Sequence, residues 1–438
     1  MRVAFVQKDP LPDPYVAVIA AQAVFRGHQA RAFLPGAERD IVGAVRRFAP
    51  GLLVFHVAGG FEDWACHTGG VLSRALGGVP VCFIGDFTAE HPDLALRDGV
   101  DFVLTGDPDE TIPELLWRIS LEKTLLGAMG TVGVDADGAL QTGPPREPIG
   151  DLDESAAADF EIYRRYRFVQ DQKTAPVLVG RGTVENLHAG VRIGTGELKR
   201  RFAGDVRRHS VQGAISRIQM LKQRRPHYRR FGIRDDSLCG DESWLLAFLD
   251  RYRTEVELPF GCVARPDQLP PRTIDALADA GCDCVRLGIE SGDAELRGAI
   301  AGTAIPDEQV DAVVARLKER GIRVHTVSFV GVPGETEESA ARTLDLVASL
   351  RPDHAFCIPV HGAETTPAMQ RLAWLVPYVA RVPLLRGAVH RAVDTAADGL
   401  FRRLFQIQHD VGFVRSGELP LPDVTRVALA MSRDRQWP

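Results

Sequence analysis

Short apolar runs alternate with stretches of helical apolar spacing along most of this chain, and no other feature restricts its fold as strongly. In the first part the runs are Val3–Val6, Ala30–Leu34, Leu52–His56, Val81–Ile84 and Phe102–Leu104. Between them, Tyr15–Arg26, Arg39–Arg46, Glu62–Leu76 and Glu110–Leu121 set apolar residues three and four positions apart. Strand–helix–strand alternation at this pitch closes as parallel pairs, so an α/β, doubly wound, Rossmann-like parallel sheet is expected here. Such sheets take ligands at the carboxyl ends of their strands, beside the point where strand order reverses. The loops expected there are small or polar: Asp9-Pro10, Ala58-Gly59-Gly60, Gly85-Asp86-Phe87-Thr88 and Gly106-Asp107-Pro108-Asp109. Asp9, Ala58, Gly59, Gly60, Gly85, Asp86, Phe87, Thr88, Gly106 and Asp107 are therefore the candidate ligand-binding residues of this region. The first strand is followed by no Gly-x-Gly-x-x-Gly, which argues against a nicotinamide or flavin dinucleotide. No Gly-x-x-x-x-Gly-Lys-Ser/Thr occurs, which excludes a P-loop.

Composition narrows the class. Of 438 residues, 45% are apolar and 25% charged, as in soluble globular proteins. Lys+Arg is 52 and Asp+Glu is 58, a net charge of −6 that gives no global signal for nucleic acid. The apolar stretch from Leu372 to Leu385 is broken by Pro377, Arg381 and Pro383, too short and interrupted to span a bilayer. No secretory signal is visible at Met1-Arg2, so a cytoplasmic location and no membrane association are expected. The seven cysteines (Cys66, Cys82, Cys239, Cys262, Cys282, Cys284 and Cys357) are scattered and odd in number, which points to reduced thiols.

Residues 129–159, rich in Gly, Asp and Pro, read as a hairpin followed by a linker. Alternation then resumes. Strands are expected at Pro176–Val179, Tyr228–Ile233, Leu258–Val263, Cys284–Ile289, Val324–Val330 and His354–Pro359, with helices between them. Six β/α units make a partial TIM-type barrel, open on one side, with its site at the strand carboxyl ends. Those ends carry Arg181-Gly182, Asp235-Asp236, Arg265, Glu290-Ser291-Gly292 and Gly331-Val-Pro-Gly334-Glu335. Val393–His409 has one apolar stripe, consistent with a helical cap over the barrel. The expected organisation is residues 1–125 for the first sheet, 126–174 for the hairpin and linker, 175–365 for the barrel and 366–438 for the cap.

At these strand ends the chain resembles the cobalamin-binding subgroup of the radical S-adenosylmethionine (SAM) superfamily, over roughly residues 1–365. The resemblance is carried by Val81–Thr88, Thr105–Glu110, Asp151-Leu-Asp, Val179-Gly-Arg-Gly182, Arg207–Val211, Asp235-Asp236, Ala280-Gly-Cys282, Gly288-Ile-Glu-Ser-Gly292 and Val330-Gly-Val-Pro-Gly-Glu335. It implies cobalamin in the first domain, and SAM and a 4Fe–4S cluster in the barrel. It implies that Glu290 lies at the SAM ribose, Gly331 near the adenine, and Asp235 and Asp236 near the methionine end. After Arg181-Gly182 the family has Cys-x-x-x-Cys-x-x-Cys; here those positions are Thr183, Leu187 and Gly190. A cluster needs several soft anionic ligands at fixed geometry. The expectation is therefore cobalamin, SAM as an optional second ligand, no iron–sulfur cluster and no protein metal ligand. The Asp-x-His-x-x-Gly that supplies an axial His in other cobalamin folds is absent. His56 and His67 are read as an ordinary strand residue and a helix-face residue. Cys282 and Cys284, at i, i+2 spacing, are read as packed residues on one face of a strand.

The function read from this is a cobalamin-dependent enzyme without a cluster, transferring a methyl group by non-radical chemistry to a small-molecule biosynthetic intermediate. Asp235, Asp236 and Glu290 are its catalytic candidates. Two alternatives stay open. One is SAM-independent cobalt chemistry such as ring closure. The other is a non-catalytic cobalamin-binding helper. The expected partners are a small-molecule substrate and a partner protein or second copy of the chain.

Overall fold

The computed structural model describes residues 1–9, 11–58, 61–182, 206–235, 237–359, 365–385, 387 and 389. Two compact units divide them after Asp171.

The first unit holds β1 (Arg2–Val6), β2 (Gln29–Phe33), β3 (Leu52–His56), β4 (Val81–Ile84), β5 (Phe102–Leu104), β6 (Thr131–Val134) and β7 (Leu140–Thr142). Their order is β2-β1-β3-β4-β5-β6-β7. The first five are parallel, and β6 and β7 are antiparallel. The apolar runs became strands because helices cover both faces of a parallel sheet, so each residue of β4 is buried. Phe55 packs on Phe83 at 5.6 Å and Phe33 on Phe48 at 5.7 Å, each fully buried ring contributing roughly 2–3 kcal/mol of transfer free energy. The helix Pro14–Phe25 starts where Asp13 accepts hydrogen bonds from the Tyr15 and Val16 amides and Pro14 fixes the first turn. The hairpin expected near residue 129 forms, and β6 pairs with β5. It extends the sheet by two strands.

The second unit is a six-stranded all-parallel sheet. Its strands are β8 (Thr174–Val177), β11 (Arg230–Ile233), β12 (Phe260–Ala264), β13 (Cys282–Glu290), β14 (Arg323–Val330) and β15 (His354–Pro359). Each pairs with its successor, in the order β15-β14-β13-β12-β11-β8, which is the open (β/α)6 barrel expected. A short antiparallel pair, β9 (Gly180–Arg181) and β10 (Arg207–Arg208), follows β8. The helix Pro367–Arg381 shares a core with Val330, Ala355, Cys357 and the helix Glu337–Leu350. It completes the outer helical layer, so the barrel unit runs beyond residue 365. The cap expected at Val393–His409 lies outside the described residues.

One reading of the sequence needs correction. A register shift matches Phe260 with Cys282 but the next residue, Gly261, with Cys284. The extra residue is a bulge, so Cys282 and Cys284 fall on opposite faces of β13. Cys282 Sγ lies 3.9 Å from Cys262 Sγ.

Candidate functional site

Strand order in the first unit reverses between β1 and β3, which opens a crevice at their carboxyl ends. Asp9 folds the loop after β1, its Oδ1 accepting from the Leu11 amide at 2.8 Å. Ala58 is exposed at the end of β3. Gly59 and Gly60 lie outside the described residues. Gly85 has φ 124°, and a Cβ there would sit 2.9 Å from His56 Cδ2. Only glycine fits that position. Asp86 is exposed and Phe87 half-buried, its ring tilted against that of His91 with centres 4.5 Å apart. Thr88 is buried and its hydroxyl donates to the Gly85 carbonyl at 3.0 Å. Asp107 is an anchor: Oδ2 accepts from the Ile149 amide at 2.9 Å and its carbonyl from the Thr111 hydroxyl. A Cβ on Gly106 would meet nothing closer than the Arg146 carbonyl at 3.7 Å, so protein packing does not impose that glycine.

The crevice also holds His56, read from the sequence as an ordinary strand residue, paired with Asp13. His56 ends β3, and its Nδ1 lies 2.5 Å from Oδ2 of Asp13. Burial alone lowers the imidazole pKa; the Asp13 carboxylate outweighs it, with help from Asp86, and the net shift is upward. For Asp13 burial raises the pKa, and the contact with His56 outweighs it downward. Tyr15 packs on the imidazole at 5.2 Å. The available signal was position, since a His closing a parallel strand stands at the ligand edge of the sheet. With Phe61 exposed and the Lys8 ammonium 4.7 Å over its ring, the edge offers charge, hydrogen-bond donors and aromatic surface. Those features, and a floor kept free of side chain at Gly85, fit a large amide-rimmed macrocycle such as cobalamin.

In the barrel, Glu290 ends β13 almost wholly buried with φ 61°, a left-handed conformation costly for any residue with a Cβ. Gly288 makes it possible, because a Cβ there would stand 2.6 Å from Glu290 Oε1. The turn beyond is held by Arg297, a fully buried guanidinium that donates to the Ser291 carbonyl at 2.9 Å and the Ile305 carbonyl at 2.7 Å and pairs with Asp307. Asp235 lies two residues beyond the end of β11, a strand two positions from β13 in the sheet. Its Oδ1 accepts from the Ser237 amide and hydroxyl, each at 2.9 Å, and Gly180 leaves room for Oδ2. The Ser237 carbonyl accepts in turn from Arg208 at 2.6 Å. Asp235 is thus part of the brace of the β9–β10 region, while Asp236 lies outside the described residues. Gly331 has φ 90°, and its amide and that of Val332 donate to the Glu335 carboxylate. The Gly331 N–H is therefore spent within the turn, and what the residue offers a ligand is its missing side chain.

Thr183, Leu187 and Gly190 lie outside the described residues. All seven cysteines are described, free and buried. Burial pushes the thiols of Cys284 and Cys357 up to about 12 and that of Cys82 well above its ordinary value. Among the described residues no three His, Cys, Asp or Glu side chains group to hold a metal ion, and no helix is long and apolar enough to cross a membrane.

Residues 201–347 match the Radical SAM superfamily. An uncharacterised methyltransferase of Pyrococcus horikoshii is 24% identical over 276 residues, which is 60% of this chain and 56% of that protein. This chain thus spans little more than half the length of that curated relative. Among solved structures, the radical SAM methyltransferase TsrM from Kitasatospora setae, with tryptophan and a SAM analogue bound, superimposes with a TM-score of 0.63. It is 16% identical, and the match covers 81% of this chain and 72% of TsrM. The cobalamin-dependent SAM radical enzyme OxsB superimposes with a TM-score of 0.62 at 12% identity, over 88% of this chain and 56% of OxsB. Residues 201–347 of the barrel unit are thus similar to the Radical SAM superfamily, and over most of its length the chain shares the fold of TsrM and OxsB.

Proposed function

We propose that this chain is a cobalamin-dependent enzyme that works without a 4Fe–4S cluster and transfers a methyl group to a small-molecule biosynthetic intermediate by polar chemistry. The observation that carries the reading is the thiol inventory. All seven cysteines are packed away as buried thiols, and the residues in the family's cluster positions are Thr183, Leu187 and Gly190. The donor set does not fit a cluster, which needs accessible thiolates.

Cobalamin, when bound, supplies a cobalt centre able to accept a methyl cation and pass it to a nucleophile. The chain's own residues do the rest. Gly85 keeps the crevice floor open. His56, oriented through Nδ1 by Asp13, presents Nε2 as a hydrogen-bond donor while the imidazole is charged. In the barrel, Glu290 is held at the mouth by Gly288 and Arg297, where a carboxylate can orient a substrate nucleophile or take its proton. SAM, as methyl source, would be held by its ribose and adenine around Glu290 and Gly331.

The test is anaerobic turnover with cobalamin, a reductant and candidate substrates, with and without SAM. The expected result is a methylated product, no 5′-deoxyadenosine, and no iron or sulfide in protein put through cluster reconstitution. A stoichiometric 4Fe–4S signal or 5′-deoxyadenosine overturns the reading. Product formed equally well without SAM, and carrying no new methyl group, replaces methyl transfer with ring closure or a related rearrangement.

A further inference from the structure

His56 closes β3 beside the point where strand order reverses, and its imidazole is held at one nitrogen. Nδ1 lies 2.5 Å from Asp13 Oδ2. That carboxylate is itself fixed. Asp13 Oδ1 accepts from the Tyr15 amide at 2.8 Å and the Val16 amide at 3.3 Å, at the first turn of the helix Pro14–Phe25. The Asp13 amide donates to the Tyr163 hydroxyl at 3.1 Å, and that hydroxyl donates to Gln7 Oε1 at 2.7 Å. The Tyr15 ring lies tilted against the imidazole, with centres 5.2 Å apart.

The other ring nitrogen is left clear. Among the described residues no hydrogen bond reaches Nε2, and the side chain is 29% exposed. A Cβ on Gly85 would stand 3.1 Å from Nε2, so the glycine keeps open the space that this nitrogen borders. Among the described residues of the first unit no other histidine stands at the carboxyl end of a strand. His28 precedes β2, His67 lies within the helix Glu62–Ala75, and His91 follows the helix Asp86–Glu90.

A neutral imidazole keeps one proton. The Asp13 carboxylate draws it to Nδ1, which leaves a lone pair on Nε2. Histidines that bind metals are oriented in this way, the second nitrogen donating to a carboxylate that fixes the tautomer and makes the ring a better donor. A corrin supplies four equatorial nitrogens and leaves two axial positions on its cobalt. We infer that His56 Nε2 is an axial ligand to cobalt in the cobalamin-loaded protein, with Asp13 as the carboxylate that orients it. The opposite axial position is then left to the methyl group. This rests on the reading of the first unit as a cobalamin site and adds the residue that holds the metal. The missing Asp-x-His-x-x-Gly does not count against it, since here the carboxylate comes from a helix N-terminus 43 residues before the histidine.

The test uses the full chain loaded anaerobically with cob(II)alamin and, separately, with cob(II)inamide, which lacks the nucleotide base. Electron paramagnetic resonance is expected to show each high-field cobalt line split into three by one axial nitrogen, in both complexes. In protein made with nitrogen-15 histidine the three lines are expected to become two, a readout that needs no variant to fold. His56→Gln is expected to lose the splitting and to bind cob(II)inamide about tenfold or more weakly. Asp13→Asn, which keeps a side chain able to cap the helix, is expected to keep the splitting and to weaken binding about tenfold. Bound cob(II)inamide with unsplit lines, a triplet unchanged by labelled histidine, or a splitting that survives His56→Gln overturns this inference and leaves the cobalamin reading standing. Protein that takes up neither corrinoid removes the cobalamin reading, and this inference with it.

Discussion

Asp13 and His56 stand 43 positions apart in the chain, yet their contact is among the shortest in the first unit. Because the His56 pKa is raised in the folded state, its share of stability is complete below the ordinary imidazole value of about 6.5. That share is lost as pH rises through the higher folded value. Because the Asp13 pKa is depressed, its share is present above about pH 4 and is lost as pH falls through the lower folded value. His56→Gln is therefore expected to melt a few degrees below the parent near pH 6, with the gap closing as pH rises through the raised folded value, as calorimetry across pH would show. Arg297 makes a larger contribution. Its guanidinium is fully buried and satisfies two carbonyls that no water can reach. Arg297→Met is expected to cost about 3 kcal/mol in urea unfolding, because the Ser291 and Ile305 carbonyls lose their donor.

At the level of elements, the turn after β13 and the helix Glu337–Leu350 touch through backbone. The Gly292 amide donates to the Thr343 hydroxyl at 2.8 Å, and a Cβ on Gly292 would lie 2.3 Å from Thr343 Cα. Gly292→Ala must push the helix away, at an expected cost of roughly 2–3 kcal/mol. Thr343→Val, which removes only the acceptor, is expected to cost about 1 kcal/mol, and denaturation midpoints would rank the two. The strands themselves were legible in the sequence, because a parallel strand buried on both faces reads as an uninterrupted apolar run. Leu52–His56 and Val81–Ile84 end in the structure where the apolar runs end. The bulge in β13 was not legible. Alternation in Cys282-Asp-Cys284 looks regular, and only pairing with Phe260 and Gly261 shows the extra residue. Site residues divide the same way. Glu290 and Gly85 stood out by their place at strand ends. The bracing of Asp107 by Ile149 and of Asp235 by Ser237 depends on how loops fold back, which no local pattern records.

For the molecule as a whole, the two units pose separate questions of stability and of ligand. Cobalamin that binds the first unit and not its unfolded chain is expected to raise that unit's melting temperature, with a dependence on ligand concentration, and to leave the second transition in place. Gly85→Val should remove the effect, since its side chain meets His56. The buried thiols supply the means to watch each unit. Cys66 and Cys82 belong to the first unit, and Cys239, Cys262, Cys282, Cys284 and Cys357 to the second. A buried, neutral thiol reacts with N-ethylmaleimide only when its surroundings open. A timed pulse of the reagent followed by mass spectrometry thus becomes a clock with two hands, one adding two labels and the other five. Molecules caught with two or five labels are half-open ones, and a jump straight from none to seven means that neither unit opens without the other.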